Sequence, residues 1–109
     1  MLRRTSPPAD ERVAVGELVV DRGTRRVSVA GRTVGLAGKE YELLLRLTAD
    51  PARVFTKEQL LRDVWGFRSA ARTRTLDSHA SRLRRKLAAA GATGCVVNVW
   101  GVGYKLIDG

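Results

Sequence analysis

The sequence contains very few residues of the kind that cross-link or ligate small domains: one cysteine, Cys95, and one histidine, His79. One cysteine cannot form an internal disulfide, and one cysteine with one histidine cannot complete a structural zinc site. No apolar run approaches the roughly 20 residues that cross a bilayer, and the basic N-terminus lacks the apolar segment of a secretion signal. We therefore expect a soluble, non-secreted protein of the reducing cytoplasm that uses no metal and no cofactor.

Acidic residues are also scarce. The chain has 11 Asp and Glu against 20 Lys and Arg, a formal net charge of +9 and a pI of about 11.0, which indicates a partner rich in negative charge. Nucleic acid, an anionic membrane and an acidic protein all fit. Because 109 residues suffice for one modest core, we expect a flexible tail or linker end over residues 1–12 and one domain over residues 13–109.

The first half of that domain changes its hydrophobic period from strand to helix. Residues 13–36 contain short β-branched stretches separated by glycines and by a tight Ala30-Gly31 turn, which predicts a small antiparallel meander. Residues 38–49 follow a helical period, and Asp50-Pro51 ends that helix. A second helix is predicted to follow.

This second helix has clear signals at both ends. Thr56 and Gln59 have the spacing of a capping box at its start, and Phe55 with Leu60 fit a hydrophobic staple. Gly66 is placed to end it. A polar loop then leads to a third helix.

The third helix, within residues 74–87 (RTLDSHASRLRRKL), has an apolar back and a cationic front. Four apolar side chains recur at helical spacing: Leu76, Ala80, Leu83 and Leu87. The opposite side carries Arg74, Ser78, Ser81, Arg82 and Arg85, with Thr75, His79 and Lys86 along one flank. Such a pair of helices is what a helix-turn-helix needs to lay one helix in the DNA major groove, and the glycine-containing hairpin predicted in CVVNVWGVGYKLID would form a wing.

These segments resemble the winged-helix effector domain of OmpR/PhoB-type response regulators. The resemblance rests on LAGKEYELLLRL, DPARVFTKEQLLRDVWG, RTLDSHASRLRRKL and VVNVWGVGYKL, and it covers nearly everything from residue 14 to 107. It implies an α+β fold: a winged helix-turn-helix with an N-terminal four-stranded antiparallel sheet, three helices and a C-terminal β-hairpin. The recognition helix would span about residues 73–89 and the wing about residues 96–107.

The resemblance also assigns roles to matching positions, all of them expectations at this point. The recognition-helix residues expected on or near DNA are Arg74, Thr75, Ser78, His79, Ser81, Arg82 and Arg84, to which the cationic face adds Arg85; Arg82 and Ser78 are the candidates for base edges. Lys57 and Trp65 match backbone-contacting positions of the second helix. Asn98, Trp100, Gly101 and Tyr104 match wing positions near phosphate or minor groove. The loop containing Phe67, Arg68, Ser69 and Arg72 matches a segment that can touch RNA polymerase.

Five positions depart from the family pattern. Ala37 stands where a threonine cap is frequent, and Ala52 where a turn glycine is frequent, so each should cost some local stability. Ser78 replaces a frequent aliphatic residue and Ser81 a frequent arginine, which leaves room for unusual base preference. Trp100 stands where many members carry an arginine, and it would either pack or rest on sugar.

Each assignment has a plainer alternative. The arginine face could be an ordinary solvated surface, and His79 could pack at the edge of the core. Asp77 fits helix N-terminal charge complementarity or an ion pair with a nearby arginine. Trp65 and Tyr104 would be half core and half contact. Cys95 would be a small buried apolar residue, with redox sensing as the alternative.

The sequence therefore predicts sequence-specific double-stranded DNA binding by a bacterial transcription regulator, with two copies arranged head to tail on direct repeats. The alternatives are a winged-helix module that binds protein and a non-specific nucleic-acid-binding protein. No enzyme is expected, because nothing in the sequence joins Cys95 and His79 to a third catalytic group. The chain has no room for a receiver domain, so we expect either an excised effector domain or a free-standing one.

Overall fold

The computed structural model describes residues 12–66 and 73–107. The segment from Phe67 to Arg72, for which the sequence predicts a contact with RNA polymerase, lies outside these ranges. So does the predicted tail, except for Arg12, which begins the first strand. No helix within the described residues is long and apolar enough to span a membrane.

The N-terminal part of the described chain is a four-stranded antiparallel meander, as predicted, with the strand order β1-β2-β3-β4. Its strands are β1 (Arg12–Val15), β2 (Leu18–Asp21), β3 (Arg26–Val29) and β4 (Arg32–Val34). Inward residues alternate with outward ones, so that Leu18, Val20 and Val27 are buried while Arg26 is exposed. Ala30 and Gly31 both have positive φ, 50° and 84°, which is the two-residue hairpin geometry that matches strand twist.

Helix α1 (Gly38–Thr48) packs under the sheet and against the third helix. Tyr41, Leu44 and Leu47 are buried in the core cluster, and Leu45 packs at its margin. Ala37 has no side chain that can cap this helix, but its N–H donates to Glu40 Oε1 at 3.0 Å. Glu40 thus supplies its half of a capping box, while Ala37 lacks the hydroxyl that would supply the other half.

Helix α2 (Lys57–Leu60) continues as a π-helical segment, Leu61–Trp65. Thr56 caps it as predicted, its Oγ1 accepting from the N–H of Gln59 at 3.0 Å. Gly66, with φ 77°, ends it in the left-handed conformation. The widened last turn was not predicted, and Lys39 of α1 donates to the carbonyl oxygen of Val64 there at 2.8 Å.

Helix α3 (Thr73–Ala89) and a three-stranded sheet complete the domain. The sheet has the order β5-β7-β6, with β5 (Phe55–Thr56), β6 (Val97–Val99) and β7 (Gly103–Lys105). Strand β5 was not predicted. Gly103 lies in β7 rather than in the hairpin turn, and the backbone of β5 approaches it closely, since a Cβ there would lie 1.9 Å from the Phe55 carbonyl oxygen.

Candidate nucleic-acid interface

Helix α3 separates its apolar and cationic faces as the sequence predicted. The four stripe residues, Leu76, Ala80, Leu83 and Leu87, are all 0% exposed. On the other faces, the exposed side chains are Arg74, Ser78, Arg82, Arg84 and Arg85, and the half-buried ones are Thr75, His79 and Ser81. Burying the stripe fixes the rotation of the helix, so the arginines must point away from the core.

Asp77, Lys57 and Tyr104 meet where α2, α3 and the wing converge. The Tyr104 hydroxyl donates to Asp77 Oδ1 at 2.6 Å, and the Lys57 ammonium lies 3.2 Å from the same oxygen. The Lys57 Nζ is also 5.8 Å from the centre of the Tyr104 ring. We call these three residues the junction cluster.

The junction cluster revises two expectations. Tyr104 is 3% exposed, so its ring is core rather than half contact, and its hydroxyl is bonded instead of free. Burial, then the Asp77 hydrogen bond and charge, raise the pKa of Tyr104 well above its ordinary value of 10.0. Asp77 lies beyond the first turn of α3, and its ionic partner is a lysine of α2 rather than an arginine.

Trp65 and His79 contact each other at the C-terminal end of the second helix. Their ring centroids are 5.1 Å apart with the planes at 71°, an edge-to-face arrangement. Nδ1 of His79 lies 2.8 Å from the Thr75 carbonyl oxygen, and a carbonyl only accepts, so this bond needs the proton on Nδ1. Both rings are half-buried, which fits the reading of His79 as a residue at the edge of the core.

The wing presents an apolar tip. Trp100 is 88% exposed and Val102 is 47% exposed, and Gly101 between them has φ 77°. Of the two alternatives for Trp100, packing against the protein is therefore wrong, because a hairpin turn carries its side chain away from the core. Arg84, Asn98 and Trp100 line one groove between α3 and the wing. Asn98 Oδ1 is buried there and has no hydrogen-bond partner among residues 12–66 and 73–107.

Cys95 lies at the base of the wing and is 9% exposed. Burial raises the pKa of its thiol, which keeps the thiol protonated and unreactive. This confirms the prediction of a small buried apolar residue.

The contacts of Asp77 with Lys57 and Tyr104 were not predicted from the sequence. A signal was present: Asp77 is the single carboxylate in a helix that carries five cationic side chains. What the sequence could not supply was the approach of Lys57 and Tyr104 from two other elements.

Residues 31–106 match the protein family described as "Transcriptional regulatory protein, C terminal". The chain is 39% identical over 106 residues to the transcriptional regulatory protein SrrA of Staphylococcus aureus, covering 95% of this chain and 44% of SrrA. It thus spans less than half the length of that relative.

Two solved structures of response-regulator domains are similar over most of the chain. The DNA-binding domain of AdeR, in complex with an intercistronic region, has a TM-score of 0.80 at 32% identity and covers 88% of this chain and 99% of that one. The Klebsiella pneumoniae RstA DNA-binding domain, in complex with the RstA box, has a TM-score of 0.81 at 25% identity and covers 91% and 99%. The chain therefore belongs to the family of C-terminal domains of transcriptional regulatory proteins, the OmpR/PhoB-type DNA-binding domains of response regulators.

Proposed function

We propose that this domain binds double-stranded DNA sequence-specifically, with α3 in the major groove and the wing on the minor groove or backbone. The observation that carries the proposal is the division of α3 into a fully buried stripe and an exposed arginine face. A helix of this kind enters the major groove with its polar face toward base edges. The AdeR and RstA domains, which share the fold, were solved in complex with DNA segments.

Within α3, we assign base contacts to Arg82 and Ser78, both exposed on the outward face. An arginine fork can bond two acceptors on a guanine edge, and a serine hydroxyl can serve several bases. The remaining polar residues of the helix are assigned to the backbone and groove walls: Arg74, Thr75, His79, Ser81, Arg84 and Arg85.

Contacts to the sugar-phosphate backbone are assigned to residues around this helix. Lys57 supplies a charge beside the start of α3, Trp65 an aromatic edge, and Asn98, Trp100 and Gly101 the wing surface. Tyr104, being buried, acts through Asp77 rather than by touching DNA. Such contacts position the domain and carry no sequence information of their own.

We further propose that the domain works as part of a two-component response regulator, with two copies head to tail on direct repeats. Half-site centres would lie about one helical turn apart. A receiver domain would occupy the part of the regulator that this chain does not span. The segment from Phe67 to Arg72 is the proposed contact for RNA polymerase.

A salt titration tests the DNA-binding proposal against binding to protein. The chain is added to a fluorescently labelled duplex of about three helical turns, and anisotropy is read at increasing salt. Phosphate-driven binding should lose affinity steeply, by about 0.9 units of log K per unit of log salt for each phosphate neutralised. Arg85→Ala should lower that slope, whereas Arg26→Ala, an equal charge change on the exposed side of β3, should not. No binding to duplex at low salt would contradict the proposal.

A further inference from the structure

The Lys57 ammonium is already paired within the protein, and this affects how it meets DNA. Its ionic partner is Asp77 at 3.2 Å. Asp77 in turn is held by the Tyr104 hydroxyl at 2.6 Å. Its carboxylate is therefore fixed toward the junction of α2, α3 and the wing, where the proposed interface has its other contacts.

Both members of the pair remain partly accessible. The Lys57 side chain is 30% exposed and the Asp77 side chain 42%, so solvent or an anion can reach them. Lys57 is also tied to the wing through its backbone, since its N–H donates to the Val102 carbonyl oxygen at 3.3 Å. The backbone of Lys57 is thus held beside the wing, and its ammonium lies against Asp77.

We propose that Asp77 is a positioning residue that competes with DNA phosphate for the Lys57 ammonium, and so weakens sequence-independent binding. The inference rests on the proposed function. A phosphate that approaches Lys57 must share the ammonium with a carboxylate of the same sign as itself. Binding at the paired lysine therefore releases fewer counterions from the DNA than binding at an unpaired lysine would, and fewer released counterions mean a flatter salt dependence.

Asp77→Asn tests this with little change of shape, because the amide oxygen still accepts the Tyr104 hydroxyl. Affinity for a random-sequence duplex of about three helical turns should rise about two- to fivefold, the range expected for one partly exposed ion pair. The slope of log K against log salt should steepen by up to about one unit.

Asp63→Asn is the matched control. It makes the same charge change, but Asp63 pairs with Arg46 at 3.0 Å, between α1 and the π-helical segment. Its salt slope should equal that of the unaltered chain. An equal rise in Asp63→Asn and Asp77→Asn would assign the effect to net charge and overturn the proposal.

The Lys57→Met background isolates the pair. Adding Asp77→Asn to Lys57→Met should leave the salt slope unchanged. Lys57→Met alone should flatten the slope by clearly less than one unit, since the Lys57 ammonium is already paired with Asp77. This last measurement does not depend on the folding of Asp77→Asn. A loss of a full unit in Lys57→Met, or an equal gain in both backgrounds, would overturn the inference while leaving DNA binding intact. Failure of the unaltered chain to bind duplex would overturn the proposed function itself.

Discussion

The Glu40 carboxylate of α1 lies 2.6 Å from the Lys86 ammonium of α3, and Glu40 is 2% exposed. The same Oε1 accepts the N–H of Ala37. One buried carboxylate oxygen therefore accepts a backbone hydrogen bond at the start of α1 and pairs with a lysine of α3. This contact ties α3, the helix that we propose enters the major groove, to the start of α1.

Removing Lys86 should leave that buried carboxylate without its cation. We predict that Lys86→Met lowers the free energy of unfolding by about 1 to 3 kcal/mol, measured by urea denaturation at neutral pH. Glu40→Gln in the same background should recover part of the loss, because no charge is then buried. An unchanged transition midpoint in Lys86→Met would show that the contact contributes nothing.

The same pair predicts a pH dependence. Burial alone would raise the pKa of Glu40, but the hydrogen bonds from Lys86 and Ala37, with the positive charge of Lys86, hold it below its ordinary value of 4.5. Because the folded-state pKa is the lower one, this stabilisation is complete above about pH 4.5 and is lost as pH falls through the folded-state pKa. Acid titration of the unfolding free energy should therefore show a fall below pH 4.5 that is smaller in Glu40→Gln. Parallel curves for the two proteins would contradict the assignment.

Gly103 should tolerate no side chain. A Cβ at this position would meet the Phe55 carbonyl oxygen at 1.9 Å, so Gly103→Ala must separate β5 from β7. We predict a loss of at least about 2 kcal/mol in unfolding free energy. Gly38→Ala, at the start of α1 and with open space around its Cβ, should be neutral or stabilising. Equal thermal midpoints for the two variants would show that the close approach is not present in solution.

Arg82 and Lys57 should differ in what their loss does to specificity. Arg82→Ala should weaken binding to the preferred site by about 1 to 3 kcal/mol and random duplex by much less, since base readout acts only on specific sites. Lys57→Ala should weaken binding to both by similar factors, because its proposed contact is to phosphate, which every duplex offers. Equal losses on the two duplexes for Arg82→Ala would reassign Arg82 to the backbone.

Trp100 should report directly on the wing. The chain has two tryptophans, and Trp65→Phe leaves Trp100 as the only one. Its fluorescence should be accessible to acrylamide in the free protein, as 88% exposure requires, and protected when duplex DNA is added. Trp100→Phe reports instead on the half-buried Trp65 and should change less. Unaltered quenching of Trp100 at saturating DNA would remove the wing tip from the interface.

Local patterns predicted most of the secondary structure and the core of α3. The stripe from Leu76 to Leu87, the Ala30-Gly31 turn and the Thr56 cap depend on neighbouring residues only, and each is present in the structure. The sequence also identified the exposed arginine face, because burial of one side of a helix determines the other.

Features that join distant segments could not be predicted in this way. Strand β5 has only two residues, and it exists because Phe55 pairs with Tyr104 far along the chain. The junction cluster likewise needs three elements to converge before Asp77 can meet Lys57. Tyr104 was expected to be half core and half contact for the same reason. The sequence shows that the residue is aromatic, but the acceptor for its hydroxyl, Asp77, lies on α3, far from Tyr104 in the sequence.

The most direct test of the central claim is a selection of genomic duplex fragments by the purified chain at near-physiological salt, followed by sequencing of the retained DNA. The account predicts enrichment of one direct repeat whose half-site centres lie about one helical turn apart, and loss of that enrichment in Arg82→Ala. Retention of fragments that share no sequence would contradict it and leave a basic winged helix that binds DNA without reading it.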